Sequence, residues 1–266
     1  MGVRALYTSA TGMSANSFNL DTIANNLANS GTTAYKQSRA NFEDLFYEHF
    51  KLPGVQDNQG NLTPTGISLG MGTRVQSTEG DFSQGSMVTS NGTYDLAIAG
   101  DGFFQVNDGV QDLFTRAGNF TLNANGNIVM ASADKGYLLQ PNISIPQDAV
   151  NVSISGDGVV SYQQQGSNQI QIAGNIQLAR FINNQGLLRQ GDNLFAETNG
   201  SGNAQIGDPG TEGRGQLRQG FLEQSNVEPV RELVELIKTQ RNFELNSQVV
   251  QAADQALQTV ANMRRF

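Results

Sequence analysis

A proton relay of the Ser-His-Asp or Cys-His kind needs an imidazole, and the chain offers a single one, His49, between Glu48 and Phe50. No Ser lies in a Gly-x-Ser-x-Gly elbow, so His49 reads as a solvated side chain. Carboxylates are plentiful, but Asp101, Asp108 and Asp157 each precede a Gly, where Asp is favoured for backbone reasons rather than for acid–base work. The spacing Asn123-x-Asn125-x-Asn127 faintly matches a calcium loop. Its Gly comes one place early, at Gly126, and no Glu fills the last ligand position, so a hairpin turn is the better expectation. The paired glycines at 70 and 72, 156 and 158, and 213 and 215 lack the third Gly of a dinucleotide loop. With no Cys there is no disulfide framework and no thiolate metal site. The expectation is a chain without catalytic residues, metal or cofactor.

The elements behind these residues are of three kinds. Residues 1–30 carry apolar side chains at Leu6, Met13, Leu20 and Leu27, a seven-residue repeat widened by Ala10, Ile23 and Ala24. The same stretch is crowded with Ser, Thr, Asn and Gly12, poor helix formers, so this helix needs packing partners. Residues 226–266 predict a stronger helix. Ser225-x-x-Glu228 has capping-box spacing, Pro229 falls in the first turn, and Leu236, Phe243, Val250 and Leu257 again repeat every seven, with Leu233, Ile237, Ala253 and Val260 beside them. Each stripe alone is what a core-facing helix shows; heptads at both ends favour a terminal helix pair.

Between them, residues 75–225 alternate, as in Val152-Ser153-Ile154-Ser155, and are punctuated by Asn-Gly and Asp-Gly pairs, the pattern of antiparallel β structure. Residues 47–74 are rich in Gly, Pro, Asn and Gln without periodicity, too long for an ordinary connector and readable as disordered or as a functional extended loop. The fold class expected is α+β: terminal helices pairing as a coiled-coil-like domain, with an inserted antiparallel β domain and an extended irregular loop. The boundaries expected are 1–36 for the first helix, 37–78 for a connector holding the loop, 79–218 for the β domain, and 219–266 for the second connector and helix.

The formal charge is −8, and residues 75–225 carry all of it, with fourteen acids against six bases, while both ends are balanced. An acidic middle disfavours nucleic acid, and neutral ends suit packing against identical copies. No apolar stretch has the length of a membrane span. Arg4 is not followed by the apolar run of a cleaved secretory signal, and Leu6 stands where a myristoylation motif needs Ser or Thr.

Four segments, in order, carry a resemblance. They are ANNLANSGTTAYK from Ala24 to Lys36 with SRANFEDL following, LAIAGDGFFQV from Leu96 to Val106, FTRAGNFTLNANGNIV from Phe114 to Val129, and QGFLEQSNV from Gln219 to Val227 leading into LIKTQRNFELNS. They resemble the flagellar rod and hook axial proteins over nearly the whole chain. Length argues against a hook-type member. Ala149 to Ser161, Gly191 to Thr198 and Phe42 to Gly54 look most like the distal-rod members, with proximal-rod members the runner-up; the stretch DNQGNLTPTGISLGMG departs from the family pattern.

The resemblance implies a non-enzymatic subunit of a helical homopolymer, a hollow shaft passing torque through the periplasm to the hook, with terminal helices as its inner tube. It implies contacts with other rod and hook proteins, with the surrounding bushing ring, and with the flagellar export apparatus, which passes such subunits without a cleaved signal. Inner-tube contacts would fall on Leu6, Met13, Leu20, Ile23, Leu27, Leu236, Phe243, Val250, Leu257 and Val260. A stiffening role would fall on the extended loop with Pro53 and Pro64 and the flanking Phe46, Tyr47 and Phe50. A secreted β-rich adhesin, which the Gly, Asn and Thr content also fits, is the alternative of another class.

Overall fold

In the computed structural model, residues 2–54, 56, 62, 64–131, 135–166 and 169–263 are described. They fall into two compact units. One comprises Met1–Ala28, Ser38–Glu79 and Glu228–Phe266; the other comprises Asn29–Gln37 and Gly80–Val227.

The helical unit contains α1 (Gly2–Ala28) and α2 (Pro229–Met263). Pro229 occupies the first turn of α2, as its missing N–H and fixed φ favour. Ser225 does not close a capping box: its hydroxyl accepts from the Val227 N–H at 3.2 Å, two residues on, and shapes the turn before the helix. The segment 47–74 is extended, yet its limbs are strands rather than irregular chain. Tyr47–Lys51 pairs antiparallel with Ile67–Gly70, and Ser38–Asp44 pairs with Thr73–Gly80. Bonds from Leu45 N to Gly72 O and from Met71 N to Phe46 O join the two ladders into one long ribbon. The strands leave no alternating pattern because neither face of the outer half is buried. Val55, residues 57–61 and Thr63 of that segment lie outside the described residues.

In the β unit, seven strands form the path Leu188–Gly191, Leu194–Ala196, Asp112–Thr115, Phe103–Asn107, Leu138–Gln140, Ile128–Met130 and Phe120–Leu122. Leu178–Arg180 also pairs with Phe103–Asn107 and carries Gln205–Gly207 on its other side. A three-stranded sheet (Ala149–Ile154, Val159–Gln164, Ile170–Asn175) and two short pairs complete it: Leu96–Ala99 with Gln216–Gln219, and Met87–Thr89 with Phe221–Glu223. Gln219–Glu223, assigned above to the C-terminal connector, thus pairs into this unit, and so does the hydrogen-bonded segment around Ala34.

The fully buried Leu96, Ile98, Phe104, Val106, Leu139 and Ile176 centre the larger core. A second core gathers Phe103, Phe114, Phe181 and Phe195 edge-to-face, with centroids 4.8 Å apart for Phe114–Phe181 and 5.8 Å for Phe103–Phe195. The Asn123 carboxamide accepts from the N–H groups of Asn125 and Asn127, both at 2.9 Å, and Gly126 takes φ +78°. That is a hairpin turn, as expected in place of a calcium loop.

Candidate functional site

The two helices meet through polar and small side chains. Asn26 Nδ2 donates to Glu232 Oε2 at 3.2 Å, and Asn19 Nδ2 to Thr239 Oγ1 at 3.1 Å; a Cβ on Gly12 would stand 3.1 Å from Asn246 Nδ2. Each step moves seven residues forward on α2 and seven back on α1, so the helices run antiparallel with one polar layer per heptad. Glu232 and Thr239 are buried there, as are Ser9, Ala15, Ile23 and Asn26 on α1. Asn26 also brackets the backbone of Ser38, donating to its carbonyl at 2.8 Å and accepting from its N–H at 2.9 Å, and so fastens the ribbon to the end of α1.

The apolar heptads read from the sequence flank this ladder. Ile23 is buried; Leu6, Met13, Leu20, Leu27, Leu236 and Val250 are half-buried; Phe243, Leu257 and Val260 are exposed. The ribbon lies beside α1. Arg4 pairs with Glu48 at 2.6 Å and stacks over Phe50 at 5.0 Å, and Gly72 approaches the Thr11 side chain so closely that no Cβ fits. Phe46 is 91% exposed, and Tyr47, Phe50, Pro53 and Pro64 are exposed with it. His49 is an exposed ribbon residue in a shallow cleft of about 480 Å³ between Glu43 and Arg74.

The β unit holds a cluster that sequence reasoning missed. Lys36, Arg116 and Glu223 are at most 5% exposed. Glu223 bridges the two cations, with Lys36 Nζ 2.6 Å from Oε1 and Arg116 Nη2 2.9 Å from Oε2, and Oε1 also accepts from Gly85 N–H at 3.0 Å. Lys36 donates further to Ser83 O at 2.7 Å, and Arg116 Nη1 to Gly100 O and Gly102 O at 2.8 and 2.7 Å. Burial pulls the Lys36 pKa below the usual lysine value, outweighing the attraction of Glu223. One carboxylate therefore ties together the segment before the ribbon, the main sheet and the segment before α2. Asn226 adds to the closure, accepting from Gln37 N–H at 2.8 Å and donating to Asp81 O at 2.8 Å. The available signal was a lone charge in each of three otherwise uncharged motifs, AYK, FTRAG and FLEQ.

Among the described residues no group of three or more His, Cys, Asp or Glu could hold a metal, and no helix is long and apolar enough to cross a membrane. The arrangement offers packing surfaces and a buried tie.

Three family models match in chain order: a flagella basal body rod protein over residues 6–36, the flagellar hook protein FlgE/F/G D1 domain over residues 97–162, and the flagellar basal body rod FlgEFG protein C-terminal over residues 218–263. The chain is 42% identical over 267 residues to the flagellar basal-body rod protein FlgG of Borreliella burgdorferi, covering 99% of each. It is 42% identical to that of Caulobacter vibrioides, covering 98% of this chain and all of the relative. It is 36% identical to that of Bacillus subtilis, covering 99% and 100%. Similarity to the hook protein FlgE of Salmonella typhimurium, 40% over 142 residues, spans 53% of this chain and 33% of the hook protein. With paired terminal helices, an inserted β unit and full-length relatives of one kind, the chain belongs to the flagellar basal-body rod protein family.

Proposed function

We propose that the chain is a structural subunit of the flagellar distal rod, polymerising helically into the hollow shaft that carries torque from motor to hook. The observation that carries this reading is the full-length match to basal-body rod proteins, set beside a terminal helix pair whose apolar heptads stay partly uncovered in the single chain. The half-buried and exposed seam residues, from Leu6 to Leu27 and from Leu236 to Val260, are the proposed contacts with neighbouring copies. The division of labour follows the expected domains, with an inner tube of helices and an outer β domain. The role is structural rather than enzymatic. The proposed surroundings are other rod and hook proteins, the bushing ring and the export apparatus, with the rod crossing the periplasm.

The ribbon is proposed as the stiffening segment. Its exposed Phe46, Tyr47 and Phe50 supply apolar anchors, and Pro53 and Pro64 limit the entropy lost when it locks onto a neighbour. A hook-type subunit is the weaker reading, since the hook relative matches over only half of this chain. The test is electron microscopy of the purified chain. Straight hollow tubes are expected, and Leu20→Asn with Leu27→Asn should abolish them while the β unit still folds. Normal tubes and motility in that double variant would sink the seam assignment.

A further inference from the structure

Two strands of the β unit, Met87–Thr89 and Leu96–Ala99, draw their ladder partners from one late stretch of chain. Phe221–Glu223 pairs with the first and Gln216–Gln219 with the second, and among the described residues neither has another strand beside it. Leu96, Ala97 and Ile98 are fully buried, so their peptide groups have no water to turn to when the ladder is missing. Side chains of the same stretch close further gaps. Leu217 fills the larger core, and its N–H donates to Gly156 O at 3.0 Å. The Gln219 carboxamide accepts from Ile154 N–H at 2.9 Å and donates to Thr93 O and Val152 O at 2.7 and 3.1 Å, fastening the three-stranded sheet. Glu223 is the anion between Lys36 and Arg116, and Asn226 bonds to Gln37 and Asp81.

We infer that residues 216–227 gate the folding of the β unit: the chain up to residue 215 does not fold by itself, and the unit closes only when this stretch arrives. Without it, folding would bury Lys36 and Arg116 with no carboxylate between them, a cost that the remaining carbonyl acceptors do not offset. It would also bury a strand whose ladder is unmade. The closing contacts are distant in sequence, 138 residues from Gly85 to Glu223 and 187 from Lys36 to Glu223, so the entropy of closure is spent before they form. Local hairpins such as Phe103–Asn107 with Asp112–Thr115 close short loops and can form earlier, but they leave the core open on the side that Leu217 and Glu223 complete. A chain emerging amino end first therefore has no closed β unit until residue 227 of 266 is out, when only α2 is still to come. The inference concerns folding alone and is independent of the rod reading.

The test cuts the folded full chain rather than shortening it. A protease site is inserted between Glu212 and Gly213, both exposed, and the protein is cleaved after folding. The readout is hydrogen-exchange protection of residues 96–106, which hold the fully buried Leu96, Ile98 and Phe104. The cleaved protein should keep that protection. The two pieces are then separated in urea and returned to buffer singly and together. The amino-terminal piece alone should be unprotected, and the recombined pieces should regain the protection of the uncut chain. A carboxy-terminal piece ending at Val227 should serve as well as one ending at Phe266, because α2 belongs to the other unit. Glu223→Ala in that piece should weaken recombination about a hundredfold or more, the loss expected when a buried charge pair is broken. An amino-terminal piece protected on its own would overturn the inference. So would pieces that do not recombine, a recombination that requires α2, or one that Glu223→Ala leaves unchanged.

Discussion

Glu223→Ala is the most informative perturbation of the β unit. Glu223 is the shared anion of Lys36 and Arg116, so removing it leaves two cations buried without a carboxylate and takes the acceptor from Gly85 N–H. Breaking a buried pair in this way costs about 3–5 kcal/mol, and the orphaned N–H adds on the order of 1 kcal/mol. Against a typical stability of about 5–15 kcal/mol for a domain, the variant should lose a large share of its stability. Lys36→Met is the contrasting case. Glu223 then keeps Arg116 and Gly85, a desolvated ammonium disappears, and the main loss is the donor to Ser83 O, about 1–2 kcal/mol. The assay is urea unfolding of both variants, followed by circular dichroism and tyrosine fluorescence. The reasoning predicts an order, with Glu223→Ala well below Lys36→Met. Equal costs, or a loss under about 1 kcal/mol for Glu223→Ala, would refute it.

Because the folded Lys36 holds its proton less tightly than the unfolded chain does, stability should rise with pH in the window between its lowered value and the ordinary 10.5. Lys36→Met should flatten that rise relative to the parent in parallel pH titrations of stability. Gly118→Ala places a Cβ against the Leu96 carbonyl oxygen, which accepts no such contact, and should cost at least about 2 kcal/mol by thermal or urea unfolding; an unchanged midpoint would contradict the packing. A fragment of residues 29–227 should be more stable than one of 80–227, because Ala34 N–H donates to Glu223 O at 2.8 Å and Lys36 neutralises its carboxylate; equal unfolding midpoints would argue that the segment is dispensable. Deleting residues 55–69 removes the strand Ile67–Gly70 for the most part and should give a bent or flexible shaft in purified basal bodies, where straight rods would make the ribbon a passive linker.

The chain ends and the middle were legible because their periods differ: seven-residue repeats at Leu20 and Leu27 or Phe243 and Val250, against alternation and Asn-Gly turns between 75 and 225. The interhelical contact was not legible. A search for apolar repeats passes over Asn26, Asn19 and Gly12, which look like poor helix formers and are the face that meets α2. Gly12 sits where a side chain would crowd Asn246, so its low helix propensity accompanies close approach. The ribbon strands were missed because Phe46, Tyr47 and Phe50 are exposed along with the polar residues between them, leaving no burial period to read. Lys36, Arg116 and Glu223 lay in the quoted motifs, but three charges 80 and 107 residues apart in sequence become one cluster only through the strand pairings that fold Asp112–Thr115 and Phe221–Glu223 into one unit.

The polar ladder also bears on sliding. Its rungs are unlike one another: carboxamide on carboxylate, carboxamide on hydroxyl, bare backbone beside a carboxamide. A uniform leucine zipper offers equivalent resting places one heptad apart, about 10.5 Å along the axis. Here the same displacement would bring Glu232 opposite Asn19, a carboxamide as before, but would set Thr239 opposite the bare Gly12 and take Glu232 away from Asn26, which is still clamped to Ser38. The helix pair therefore behaves as an indexed joint with one notch, and an axial push on either helix is resisted by the loss of the Asn26 and Thr239 rungs rather than by friction along an oily seam.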